Sequence, residues 1–272
     1  MILNANQELI IRLLVFASVL SSMLFWEAVF PRRAVAEGSW LRRCHNLVLV
    51  FVNTLCLRLV LPVAAVGAAE LASSAGWGLF NRIQMGYWLT LLLSLMVLDL
   101  IIYVQHVLFH KIQLLWRVHR VHHTDMAIDV TTGLRFHPIE IFISMCIKII
   151  AVMLLGVPAL AVMLFEVILN ATAMFNHSNI YITPGVDHWI RWLIVTPDMH
   201  RVHHSVIRRE TDSNYGFNLS CWDRLFRTYR DQPREGHLNM RIGLNELRGE
   251  KTVNILWLLA QPFLGVQQAS GV

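Results

Sequence analysis

The residues with the clearest chemical potential are histidines. His200-Arg201-Val202-His203-His204 has a near-copy in His119-Arg120-Val121-His122-His123. On a helix, imidazoles at i, i+3 and i+4 fall within roughly a 100° arc of one face. A further pair, His106 and His110, stands at i and i+4 just upstream, and eleven of the thirteen histidines lie between positions 106 and 204. Neutral imidazole is the commonest metal-binding side chain. The carboxylate-rich cages that suit magnesium or calcium and the thiolates that suit structural zinc are missing, so the set points to zinc, copper, nickel or iron. Eight imidazoles exceed what one metal can take, and a structural zinc needs only four closed ligands. The count therefore predicts two metals with open positions.

The elements that must hold these side chains are apolar. The chain has 272 residues, of which 56% are hydrophobic and 15% charged. That is too apolar for an ordinary soluble domain and predicts an all-α integral membrane protein. Spans are expected at Leu9 to Phe30, Leu47 to Ala69 and Met85 to about His110, each long enough for a hydrocarbon core of about 30 Å. Ile139 to Phe175 is longer and is interrupted at Gly156-Val157-Pro158, which predicts a helical hairpin. Lys148 inside it must snorkel or face the protein interior. The first apolar run is read as an anchor and not a cleaved signal. The tail from Val253 to Phe263 is too short to span and predicts an interfacial or packed helix.

Basic residues set the orientation. Arginines 32, 33, 42 and 43, then Lys111, Arg117, Arg120 and Arg135, and the stretch 178–252 all fall on one side, whereas the loop at 70–84 holds only Arg82. The expectation is a cytoplasmic helical cap carrying every histidine cluster, with the N-terminus outside. The net charge of +5 suits anionic headgroups, and no nucleic-acid partner is inferred. Cys44, Cys56, Cys146 and Cys221 are scattered and read as small apolar residues or free thiols. Three segments follow: N-terminal helices and loops in 1–84, the histidine-bearing domain in 85–232, and a tail in 233–272. Two redox-active irons at a bilayer surface would activate dioxygen against an unreactive C–H bond, with the lipid phase delivering the substrate.

Asp99, Tyr103, His106 and His110 form one helical stripe. An aspartate that deep in an apolar span needs a partner. Accepting from a ligand imidazole's second N–H would supply one, and Asp125 and Asp198 invite the same reading. Arg120 and Arg201 could meet acidic partners, lipid phosphate or solvent. His45 and His237 are expected at the surface.

The motifs also carry a resemblance. His106-x3-His110, His119-x2-His122-His123 and His200-x2-His203-His204 match the three histidine boxes of the fatty acid hydroxylase and sterol desaturase superfamily. Their contexts match too: Trp116-Arg117-Val118-His119, Arg135-Phe136-His137-Pro138-x-Glu140, Asn176-His177, Thr196-Pro197-Asp198, Asn214-Tyr215-Gly216 and Trp222-Asp223-Arg224-Leu225-Phe226. The similarity covers roughly 85–232 and is nearest to the bacterial sterol desaturase-like members, which also resemble alkylglycerol monooxygenase. It implies an integral membrane di-iron oxygenase of a sterol-, fatty acyl- or alkyl-type lipid, using dioxygen and external electrons. Carried over, the iron ligands would be His106, His110, His119, His122, His123, His200, His203 and His204, with His177 as a ninth; His137 and His188 are further candidates. Fatty acid 2-hydroxylases have another histidine where this chain has Ala173, which leaves the substrate open. The sequence holds no dinucleotide fingerprint, haem-attachment motif or ferredoxin-type cysteine cluster. Electrons are therefore expected from a separate ferredoxin- or cytochrome-like protein, and a bacterial inner membrane is the expected location. The competing reading, a membrane metal-binding protein or transporter, predicts ligands strung along a path across the bilayer. A bis-histidine haem carrier needs paired histidines deep in two facing helices.

Overall fold

A computed structural model describes residues 5–34, 39–61, 64–83 and 85–265. The first four residues, expected outside the cytoplasm, lie outside the described residues. Among the described residues the chain is helical: α1 (Ala5–Val29), α2 (Ser39–Val60), α3 (Ala65–Ser74), α4 (Leu79–Arg82), α5 (Tyr87–Lys111), α6 (Gln113–His123), α7 (Pro138–Leu155) and α8 (Ala159–His177). Short helices follow: α9 (Pro184–Ile190), α10 (Pro197–His203), α11 (Arg208–Thr211), α12 (Cys221–Leu225), α13 (Gly236–Asn239) and α14 (Ile255–Ala260). Five stretches are long and apolar enough to cross a membrane. This is an all-α membrane protein.

The second apolar run differs from expectation. It begins at Ser39 and ends at Val60, not 47–69, and its remainder forms the separate helix α3. The sequence has Pro62 between these two helices, a residue type that lacks an N–H and biases the one before it away from the helical region. The predicted hairpin is present. Gly156 closes α7 in the left-handed region (φ 69°) and Pro158 caps α8. Helices α3, α5, α7 and α8 share an apolar core that includes Leu98, Val152 and Phe165.

Polar side chains inside this apolar bundle are paired. Lys148 faces inward: its Nζ donates to Glu166 Oε1 at 2.7 Å, and Arg12 donates to Glu166 Oε2 at 2.7 Å. Glu8 holds the other side of Arg12 at 2.8 Å. This cluster ties α1, α7 and α8 together. Nearer the histidines, Arg135 is fully buried and donates to Val121 O, Asn46 Oδ1, Thr124 Oγ1 and Thr252 O.

His45 and His237, expected at the surface, are not fully solvated, and of the alternatives for Arg120 and Arg201 the solvated face does not hold. Arg120 is buried and donates to Gln261 O and Leu264 O, so the tail packs on α6. Arg201 is fully buried against Asp198. His237 is buried as well, 3.7 Å from the Asp198 carboxylate, because Arg32, Arg201 and His237 all converge on that aspartate. His45 is half-buried against Val253 O.

Breaking a buried ion pair on one side leaves a charge stranded, which costs about 3–5 kcal/mol. Glu166→Leu should therefore lower the thermal midpoint in detergent sharply, and Glu166→Leu with Lys148→Met should recover part of the loss. Simple additivity of the two substitutions would contradict the pairing.

Candidate metal centre

Four elements converge on one buried point. The end of α5 supplies His106 and His110, α6 supplies His119, His122 and His123, the last residue of α8 is His177, and α10 with its C-cap gives His200, His203 and His204. All nine are buried. Their nitrogens fall into two groups: His106, His110, His119, His123 and His203 in one, and His122, His177, His200 and His204 in the other, with the ligand atoms of each group within 4.8 Å of one another.

Hydrogen bonds on the outer nitrogens fix how the rings point. His106 Nδ1 is 2.8 Å from Tyr215 O, His177 Nδ1 is 2.8 Å from Ala173 O, and His203 Nδ1 is 2.8 Å from Ser213 O. His119 Nδ1 is 2.7 Å from Glu140 Oε1. A carbonyl oxygen only accepts, so the ring nitrogen facing it must carry the proton, and Nε2 is left with a bare lone pair. Those lone pairs point inward. Nε2 of His177 is 3.0 Å from Nε2 of both His122 and His200, and Nε2 of His119 is 3.2 Å from Nε2 of His123. Nε2 of His106, His110, His203 and His204 is buried without a partner. Burial pushes His203 down to about 3 against the pull of the Ser213 carbonyl. Burial first, then neighbouring imidazoles, lowers His122, His123, His200 and His204 well below the ordinary range. Neutral rings with converging, unpartnered lone pairs are a donor set that fits cations. Among the described residues, the other imidazoles are the nearest partners these inward nitrogens have.

Local sequence explains the positioning. Asn214 adopts φ 51°, and its amide donates to Met199 O and Arg230 O. That turn presents Ser213 O and Tyr215 O to His203 and His106. Asp223 accepts from Tyr215 N, Gly216 N and Thr228 Oγ1, fixing the same loop from below. At Gly133 a Cβ would fall 2.3 Å from Ala173 O. Only glycine lets the 130–134 turn approach α8 beneath His177.

Two candidate ligands lie elsewhere. His137 uses both nitrogens: Nδ1 accepts from Ile139 N at 3.1 Å as the cap of α7, and Nε2 lies 3.1 Å from Leu259 O. His188 is exposed and belongs to neither group. The three aspartates also bond differently from expectation. Asp99 accepts from Leu219 N at 3.1 Å and Trp222 Nε1 at 2.8 Å, Asp125 from Arg42 and Thr132, and Asp198 from Arg32 and Arg201. Guanidinium groups hold Asp125 and Asp198, and a backbone amide and an indole N–H hold Asp99. The carboxylate that does orient an imidazole is Glu140, and Asp212 stands 3.6 Å from His110 Nδ1. Glu140 had a visible signal, an acid in the first turn of a membrane-length apolar helix. The backbone acceptors at 213 and 215 had none beyond the Asn-Tyr-Gly motif.

A cavity of 550 Å³ opens beside the centre. His106, His119, Phe136 and Phe217 line one part of it, and Arg12, Lys148 and Glu166 another, with mostly apolar walls from α1, α2, α5, α7 and α8. Glu166 precedes His177 by eleven residues on α8, roughly 16 Å along the helix axis.

Comparison with known proteins gives the family. The chain belongs to the fatty acid hydroxylase family, whose sequence profile matches residues 91–228, half of the chain and all nine clustered histidines. An ornithine lipid hydroxylase, OlsE, of Rhizobium tropici is 30% identical over 63% of this chain. Alkylglycerol monooxygenases of Xenopus tropicalis and Homo sapiens are 29% and 26% identical over 62% and 46% of it. The matches span 49%, 37% and 27% of those relatives, so this chain covers half of their length or less. No solved structure gives a significant match.

Loss of an outer carboxylate partner typically costs 10–100-fold in metal affinity. Glu140→Gln should weaken retention of metal by about that factor in chelator competition, with the second, four-histidine group retaining its metal. Equal loss from both groups would show that Glu140 acts on the fold as a whole.

Proposed function

We propose that this chain is a membrane oxygenase that inserts oxygen into a C–H bond of a lipid, or removes hydrogen from it, using dioxygen and external electrons. The observation that carries the reading is the juxtaposition of two all-histidine groups with a largely apolar cavity among membrane-length helices. The family supports lipid oxidation as the chemistry. The relatives named as hydroxylases or monooxygenases of ornithine lipids and alkylglycerols support a lipid as substrate.

In this reading His106, His110, His119, His123 and His203 hold one iron, and His122, His177, His200 and His204 hold the other. Bound iron would supply dioxygen reduction and the oxidising power for the C–H bond. The rest belongs to this chain. Glu140 and the carbonyls of Ala173, Ser213 and Tyr215 keep the outer protons on Nδ1 and leave Nε2 free to ligate. The apolar cavity walls bind the lipid chain and exclude water from the oxidised carbon. Phe136, stacked 4.6 Å from His122, and Phe217 form the wall between chain and ligands.

The basic segments support a cytoplasmic face for the centre, a bacterial inner membrane as its setting, and a soluble electron carrier as its donor. The domain limits of 85–232 for the oxygenase unit and 233–272 for the tail are part of the same proposal.

The test is expression in a bacterial host under isotopically labelled dioxygen, followed by lipid mass spectrometry. A lipid gaining one labelled oxygen, lost in His123→Ala and His204→Ala variants that still insert in the membrane, is the expected result; a lipid losing two hydrogens would assign desaturation. An unchanged lipid profile with an iron-loaded, reducible protein would overturn the reading.

A further inference from the structure

All nine clustered imidazoles are buried, so a side chain that meets both the ligands and the outer surface would give reducing equivalents the shortest route to them. Three half-buried aromatic rings touch the imidazoles: Phe136, Phe217 and Trp116. Phe136 and Phe217 line the lipid cavity, whereas Trp116 does not. The Trp116 ring centroid lies 4.9 Å from His110, 5.3 Å from His123 and 6.2 Å from His119, all in the five-histidine group. Its outer face is covered by the Arg208 guanidinium, 5.4 Å from the ring centroid.

The surface around that ring is basic. The Arg208 side chain is 59% exposed and Lys111 is 53% exposed, and Arg209 beside them is exposed too. One carboxylate, Asp212, bonds both Arg208 and Lys111, which leaves the patch with a positive balance. Arg208 also donates to His110 O at 3.4 Å. A cation stacked on an aromatic ring that touches two ligands gives a small, oriented contact point.

We propose that an acidic, one-electron carrier protein docks over Trp116 on the Lys111, Arg208 and Arg209 patch, and that Trp116 is the residue through which electrons pass to His110 and His123. The inference rests on the oxygenase reading for its chemistry. Each docking event oxidises the carrier by one electron and reduces the centre by one. Two such events and two protons balance hydroxylation, R–H + O2 + 2e⁻ + 2H⁺ → R–OH + H2O. Complementary charge accelerates encounter and makes it sensitive to salt.

The experiment uses the full chain in neutral-lipid nanodiscs with two probes, an acidic [2Fe–2S] ferredoxin and an acidic b-type cytochrome. Binding to metal-free protein is measured against salt, and reduction of iron-loaded protein is followed by stopped flow. Reduced methyl viologen, which needs no docking, is the reference. Arg208→Glu with Lys111→Glu should weaken binding of at least one carrier by about tenfold or more and flatten its salt dependence. Trp116→Leu should leave binding within about twofold while the ratio of carrier-driven to dye-driven reduction falls about tenfold, and Trp116→Phe should recover part of it. Failure of both carriers to bind the unaltered protein at low salt would overturn the proposal. So would unchanged binding after charge reversal, or equal slowing with carrier and dye in Trp116→Leu. If reversal alters only adsorption to anionic vesicles, the patch faces lipid and the proposal fails. Because binding is read on metal-free protein, a failed oxygenase reading leaves the docking result intact, and a failed docking result leaves lipid oxidation intact.

Discussion

The structure depends on holding nine buried imidazoles together, with the Nδ1 of four of them, His106, His119, His177 and His203, turned outward so that Nε2 faces the shared interior. Such an arrangement is unfavourable by itself, because buried acceptors facing acceptors gain nothing. For His106, His119, His177 and His203 the outer nitrogen is claimed first. Tyr215, Ser213 and Ala173 offer carbonyls and Glu140 offers a carboxylate, so the proton has only one place to sit. The surrounding architecture serves these acceptors. Asn214 in its left-handed conformation, Asp223 beneath the loop and Gly133 against α8 each set where a backbone oxygen lies.

The membrane part obeys the same demand for pairing. Glu166 lies between Arg12 and Lys148, and Asp99 accepts from Trp222, so each buried charge meets a partner in a medium that penalises bare ones. These pairs also link functional and structural roles. Arg12, Lys148 and Glu166 line the cavity that reaches His106 and His119, so the elements that pin α1, α7 and α8 also bound that cavity.

Much of this was legible before any coordinates. The i, i+3, i+4 spacing on α6 and α10 and the hairpin break at Gly156 and Pro158 follow from periodicity and the behaviour of glycine and proline, and of the two alternatives for Lys148, snorkelling or facing inward, the second holds. What was not legible lies in long-range pairing. Asp99, Asp125 and Asp198 look alike in sequence, each within a few residues of a clustered histidine or on its stripe. Their partners Trp222, Arg42, Thr132, Arg32 and Arg201 are brought to them mostly by distant parts of the chain. His237 looked like a tail surface residue because nothing local shows that α13 folds over Asp198. His137 looked like a ligand because capping α7 uses only Nδ1, and the partner of Nε2, Leu259 O, lies more than a hundred residues away in sequence. The acceptors that matter most are backbone carbonyls, which no residue type announces.

The proposed function requires that two metals share this histidine core, and that both are iron. Elemental analysis with iron-edge X-ray absorption on the purified, membrane-extracted protein tests it most directly. The account predicts two irons per chain, each with a first shell dominated by imidazole nitrogen. A single tightly held zinc with no iron would contradict it.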